Sequence, residues 1–110
     1  MAETVKILAQ ALSKDAMTLL YAAPANGSAV ISTFVACNIS GAGTTFDLAA
    51  TQASATAPAS ANYIYKDSAL ALAETLMATA GITLGAGEKL YALSDAAGDV
   101  AFTVFGVERT

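Results

Sequence analysis

The chain has 110 residues, the size of one domain with one core. Its 55% hydrophobic and 13% charged residues, with a mean hydropathy of +0.56, exclude a disordered chain, which cannot be this apolar. The formal charge is -4, and the basic residues Lys6, Lys14, Lys66, Lys89 and Arg109 are scattered singly, which excludes direct binding of nucleic acid through clustered phosphate contacts.

Turn chemistry divides the chain into eight expected strands, at residues 4–12, 17–22, 29–39, 44–51, 62–66, 75–80, 88–93 and 100–107. The breakers are SKD from Ser13, PANG from Pro24, SGAG from Ser40, the Ala/Ser/Pro stretch 52–61, GAG from Gly85 and DAAGD from Asp95. In the Pro24–Gly27 turn, Pro removes a donor and Asn-Gly is expected to supply a positive φ. Short strands at this spacing give an all-β fold, a single antiparallel β-sandwich over residues 1–110. Parallel α/β architecture is disfavoured, since it needs helices between strands.

The segment 67–81 argues for a helix, with Asp67 and Ser68 as a start signal, Ala, Leu, Glu and Met inside, and Gly81 at the end. The strand reading prevails on the alternation of Leu76 and Ala78 with Met77 and Thr79, and on the extended run ITLGAGEKLYALS that follows. A short helical turn at 70–73 would fit either way.

Much of the hydrophobic content is alanine, which buries little area. The expected core anchors are therefore Val5, Ile7, Leu8, Leu19, Leu20, Ile31, Phe34, Val35, Phe46, Leu48, Leu76, Ile82, Leu84, Leu90, Leu93, Phe102, Val104 and Phe105. So thin a core makes association the expected remedy. In strand 29–39 simple alternation puts Ile31, Val35 and Cys37 on one side and Val30, Phe34 and Ala36 on the other. In strand 100–107, Phe102 and Val104 oppose Phe105 and Val107. Both strands are apolar on both faces, so each lies centrally under a cover or packs on another copy. The amino segment 2–12 shows the same division, with Val5 and Ile7 opposing Leu8 and Leu12.

Chemistry is hard to place. Histidine is absent, which removes the commonest general base and metal ligand. The nine acids sit mostly singly at turns or ends, so no catalytic carboxylate pair is indicated and no enzymatic activity is expected. Asp95 and Asp99 around Ala-Ala-Gly read as a polar turn with Gly98 at a positive φ rather than a calcium loop. The glycines of SGAG and GAG form no phosphate-binding motif, and no cofactor or metal is expected. Cys37, the one cysteine, reads as a buried strand thiol. Tyr63 and Tyr65 share a strand face and read either as sheet packing or as an aromatic contact platform. The amino end lacks a basic region followed by a long apolar core, and no apolar run reaches the about 20 residues of a membrane span, so a soluble protein without a secretory address is expected.

VKILAQ near the start, LLYAAPANGSAVISTFVACN, NYIYKD, ITLGAGEKLYALS and the ending AFTVFGVERT together resemble a family of small tailed-bacteriophage virion proteins. That family shows LY-x-x-P-A-x-x-x-A-V-x-S-x-x-V-x-N early, L-T-L-x-x-G-(D/E) before a late strand and F-G-V-E-x-T at the end. The resemblance spans nearly the whole chain and rests on turns and core strands. The chain departs from the pattern in Lys89 after Glu88 and in its alanine-rich middle. What the resemblance implies is a β-sandwich, with the jelly roll among its forms, that decorates the virion. The implied role is a capsid decoration (cement) protein at junctions of major capsid subunits. The alternatives are a tail, collar or fibre component or a small receptor-binding module, and beyond those a carbohydrate-binding sandwich. The expected partners are the major capsid protein, or tail and fibre proteins, and further copies of the chain, with a trimer as the expected oligomer. The chain would be made in the host cytoplasm and reside on the virion, at the capsid surface. Candidate contact residues are Val5, Ile7, Phe34, Tyr63, Tyr65, Phe105 and Val107.

Overall fold

The computed structural model describes residues 2–79 and 81–110. Nine strands follow in chain order: β1 (Glu3–Leu12), β2 (Thr18–Ala22), β3 (Ser28–Asn38), β4 (Thr44–Thr51), β5 (Tyr63–Leu70), β6 (Thr75–Ala78), β7 (Ile82–Leu84), β8 (Lys89–Ser94) and β9 (Val100–Arg109). The only helical element among the described residues is a 3-10 turn, Ser60–Asn62, in the Ala/Ser/Pro loop. The all-β expectation therefore holds.

Two antiparallel sheets face each other. One has the order β1-β9-β3-β6, with β7 continuing the β6 edge along β3; the other has the order β2-β8-β4-β5. The chain crosses from one sheet to the other at every step except β4 to β5, which pair as neighbours, and β6 to β7, which lie on the same edge. This is the arrangement of a jelly roll in which the sixth of eight strands is broken into β6 and β7. The turn at 24–27 is accordingly a crossing between sheets, not a hairpin. Gly27 there has no positive φ; a Cβ on it would collide with the Arg109 carbonyl, so close approach of two backbones requires the glycine. Gly98 does take φ 81 in the Asp95–Asp99 turn, as expected.

The core lies between the sheets. Phe34, Phe46 and Phe102 meet there with ring centroids 5.8 to 6.1 Å apart, and Ile31, Leu48, Leu90, Val100 and Val104 fill the space around them. Buried alanines at 23, 29, 36, 49 and 92 let the sheets close on these few large side chains. Tyr21, Leu70 and Val100 belong to the buried set although alternation from the turns does not single them out.

Bulges correct the sequence parity. In β3 the register against β9 shifts between Ile31 and Thr33, so Ile31 and Phe34 both face the core and Val30, Val35 and Cys37 face outward; Val35 is therefore no core anchor, and Cys37 is half-buried rather than buried as expected. In β1 a shift between Ile7 and Ala9 leaves Leu8 packed on the core and turns Leu12 out to solvent, against its expected pairing with Leu8. Val5, Ile7, Leu19 and Phe105, expected as core anchors, are exposed.

The segment with helix signals is strand. β5 runs on to Leu70, four residues past its expected end, and Ala71–Glu74 close a tight turn in which Ala73 takes φ 62. The strand expected at 75–80 is β6, ending at Ala78; its last expected residue, Ala80, lies outside the described residues. Gly81 has a positive φ at the break before β7 and caps no helix.

Candidate functional site

Directly opposed residues on antiparallel strands share a face. On the outer face of the β1-β9-β3-β6 sheet this rule builds successive rows. Val5, Val107, Val30 and Thr83 form one, Ile7, Phe105 and Thr33 the next, and Gln10, Thr103, Val35 and Met77 the third. Leu12, Ala101 and Cys37 lie at one end, and Glu3 with Arg109 at the other. Val5 is 81% exposed, Met77 69% and Phe105 38%. The only charged side chains of these rows are Glu3 and Arg109, 2.5 Å apart and neutralising each other. The result is a broad sheet surface without unpaired charge and with large apolar groups open to water, which isolated domains usually avoid.

Of the expected contact residues, the fold brings Val5, Ile7, Phe105 and Val107 together on this face. It does not bring Phe34 there: the β3 bulge turns that ring inward, and it is 0% exposed. Tyr63 and Tyr65 lie on the other sheet. Tyr65 stacks into the core against Phe34 and Phe46, at 6.2 and 5.3 Å between centroids, and the Lys66 ammonium lies 5.2 Å from the Tyr63 ring. The pair therefore forms no open aromatic platform. Met77, Val30 and Val35 join the face although they were not among the expected contacts. Met77 was readable as alternating with Leu76, but its opposition to Val35 is a register that no local signal gives.

Of the buried polar side chains, all but Thr51, whose hydroxyl has no partner among the described residues, are bonded into the scaffold. Asn38, at the end of β3, donates to the carbonyls of Ala42, Leu70 and Ala71 and accepts from the Ser40 amide and hydroxyl, closing three segments on one side chain. The Val100 amide donates to Ser13 Oγ, which donates to Ser94 Oγ 2.6 Å away, which donates to the Ala96 carbonyl. Asp47, almost fully buried on β4, accepts the Asp67 amide at 2.7 Å and thereby holds Asp67 at φ 49 in a β5 bulge. Lys66 Nζ approaches the same carboxylate at 3.4 Å, and that bond holds the ammonium above its ordinary range. The Thr44 hydroxyl donates to Asp99, which fixes the Asp95–Asp99 turn.

One polar cluster bridges the sheets. Tyr21 of β2 donates to Glu108 of β9, and Lys6 of β1 lies 2.8 Å from the same carboxylate. Burial, and then the Glu108 carboxylate, push the Tyr21 hydroxyl well above its ordinary range; Lys6, and then Tyr21, hold Glu108 below its own. These shifts belong to an interlock between the two sheets. Among the described residues no group of three or more His, Cys, Asp or Glu is placed to hold a metal ion. The clefts are shallow; one of about 300 Å³ between the 52–62 loop and the β7–β8 turn is bordered by Thr51, Gln52, Asn62 and Glu88, and carries no aromatic.

The strand order and this face define the class of the chain, a jelly-roll β-sandwich. Among solved structures it is similar to a chain in the structure of infectious bursal disease virus, Gx strain, with 11% identity and a TM-score of 0.48 over 97% of this chain and 30% of that one. This chain thus spans less than a third of the length of the one it matches. No family model and no curated protein matches the sequence.

Proposed function

We propose that this chain is a virion structural protein, a capsid decoration protein that stabilises a shell by binding it and catalyses nothing. The observation that carries the reading is the outer face built on β1, β9 and β3, which holds no unpaired charge and exposes Val5, Ile7 and Phe105. Burial of surface such as this favours whatever assembly covers it. The motif resemblance to tailed-phage virion proteins supplies the setting, and jelly rolls recur in capsid domains as well as in lectins and cupins. The fold alone does not choose among those. Buried polar side chains committed to scaffold bonds, and a tyrosine pair folded into packing, favour a structural part over an enzyme or a sugar-binding domain. The partner under this reading is the major capsid protein.

The test uses particles of the encoding virus assembled with and without the protein. Decorated particles should survive heating and low salt that open bare ones, and added protein should restore the difference. If bare particles survive equally well, the cement role fails. If the protein locates to the tail or fibre instead, it is a component of that structure and the capsid assignment is overturned.

A further inference from the structure

We propose that in the free protein the outer face of the β1-β9-β3-β6 sheet closes on the same face of a second copy, in a twofold, sheet-on-sheet dimer that opens when, under the decoration reading, a shell takes up that face. The free edges of the fold argue first. β1 is the one long edge strand, and it is broken by the Ile7–Ala9 bulge and carries Lys6. β2 and β6 have five and four residues, and β5 is bulged at two points. Bulges, short length and lysine are the devices by which edges are kept from pairing with other strands. Association therefore falls to a face.

Charge selects the occupant. The chain carries a formal charge of -4, so two copies repel wherever their acids meet. On this face the only charged side chains are Glu3 and Arg109, already paired, at one end of the rows. A twofold axis near Phe105, in the middle row, sets the valine row of one copy over the Val35–Met77 row of the other. It leaves each Glu3–Arg109 pair at the rim, in water. No charge is buried unpaired, which a partner with a charged surface could not ensure. Isologous contact of this kind needs only that the patch complement itself.

Area agrees. β1, β9 and β3, of ten or eleven residues each, with the four of β6 and three of β7, spaced about 4.8 Å apart at about 3.3 Å per residue, offer about 600 Å² per copy. A pair then buries about 1,200 Å², the lower bound of stable specific interfaces, and the natural packing of two sheets is aligned at about 30°. The expected dimer is reversible, in the micromolar range.

Sedimentation equilibrium of the full chain over about 5 to 200 μM should show monomer and dimer only. Val5→Asp and Met77→Asp, at opposite edges of the face and both well exposed, should each weaken dimerisation about tenfold or more while leaving the circular dichroism and the melting temperature of the monomer unchanged. Ile64→Asp, an exposed apolar position on the other sheet, should leave the dimer intact. A monomer throughout the range, a trimer, or a dimer indifferent to both face variants would overturn the proposal. The outcomes separate from those of the decoration reading. A monomer that still protects particles removes the dimer and keeps decoration, whereas a dimer that protects no particle keeps the face pairing and removes decoration.

Discussion

Ile31 and Phe34, three residues apart on β3, point into the same core because the chain spends Ser32 and Thr33 on a bulge opposite Phe105. Strict alternation would have sent one of them to each face. The bulge is what allows a two-sided apolar strand to fill the core with its largest rings and still show Val30 and Val35 outside. It depends on Gly106, which pairs with Ile31 and lies so close to β3 that a Cβ would run into the Val30 carbonyl oxygen and press on Leu8.

Gly106→Ala should therefore destabilise the domain by about 1–3 kcal/mol, the usual range for forcing extra volume into a packed site. Urea denaturation would show a lower midpoint with an unchanged slope. Gly41→Ala, at an exposed turn with free space around the missing Cβ, should cost about 1 kcal/mol through its positive φ alone. Equal losses at the two positions would contradict the account of the bulge.

How much of this was legible follows from where the determinants lie. β4, Thr44–Thr51, could be bounded to the residue because SGAG precedes it and Gln52 opens a polar stretch. The outward set Phe105 and Val107 was legible because β9 alternates without interruption from Val100 to Val107. Phe34 was assigned to the contact surface in error because a bulge is a relation between two strands and leaves no mark on one. The same holds for β5: its extension to Leu70 rests on the Asp47 carboxylate accepting the Asp67 amide, a contact twenty residues distant, while Asp67 and Ser68 read locally as a helix start. Met77 entered the face only through its register with Val35.

Asn38 closes the corner between β3, the 39–43 loop and the β5–β6 turn, and its replacement leaves carbonyls of Leu70 and Ala71 without that donor in a poorly hydrated place. Asn38→Ala should cost about 2–4 kcal/mol, more than one ordinary hydrogen bond, since several partners lose a bond at once. Hydrogen exchange should quicken first at Ser40 and at the 71–74 turn. A loss under about 0.5 kcal/mol would mean that water replaces the side chain without penalty.

The Tyr21–Glu108–Lys6 interlock predicts how stability follows pH. Glu108 is held below its ordinary carboxylate range, chiefly by Lys6, so its contribution is present above about pH 5 and is lost as pH falls through its folded value. Tyr21 is raised, chiefly by burial, so the unfolded chain gives up that proton first and stability declines once pH passes about 10. Melting temperatures from pH 3 to 11 should show both limbs. Glu108→Gln should flatten the acid limb, and Tyr21→Phe the alkaline one. Unchanged slopes in these variants would place the titrating groups elsewhere.

The two ends of the chain separate folding from attachment. Ala2 and Thr110 exchange backbone hydrogen bonds of 2.9 and 3.0 Å, and Glu3 pairs with Arg109 beside them, all at the open rim of the sheet. Removing residues 1–3 costs those bonds and an exposed ion pair worth about 0–1 kcal/mol, so the melting temperature should fall by only a few degrees. The same truncation shortens the face at its Glu3 end and leaves an unpaired Arg109 on the rim, which a closing surface must then avoid or partly desolvate. Dimerisation, and attachment to particles under the decoration reading, should weaken more than folding does. Ending the chain before Val100 is the opposite case: it removes β9, which lies between β1 and β3 and supplies Phe102 and Val104 to the core, and no cooperative unfolding transition should remain. If truncation of residues 1–3 abolished folding while leaving association of the remaining structure intact, the amino end would be part of the core's support rather than of the contact face.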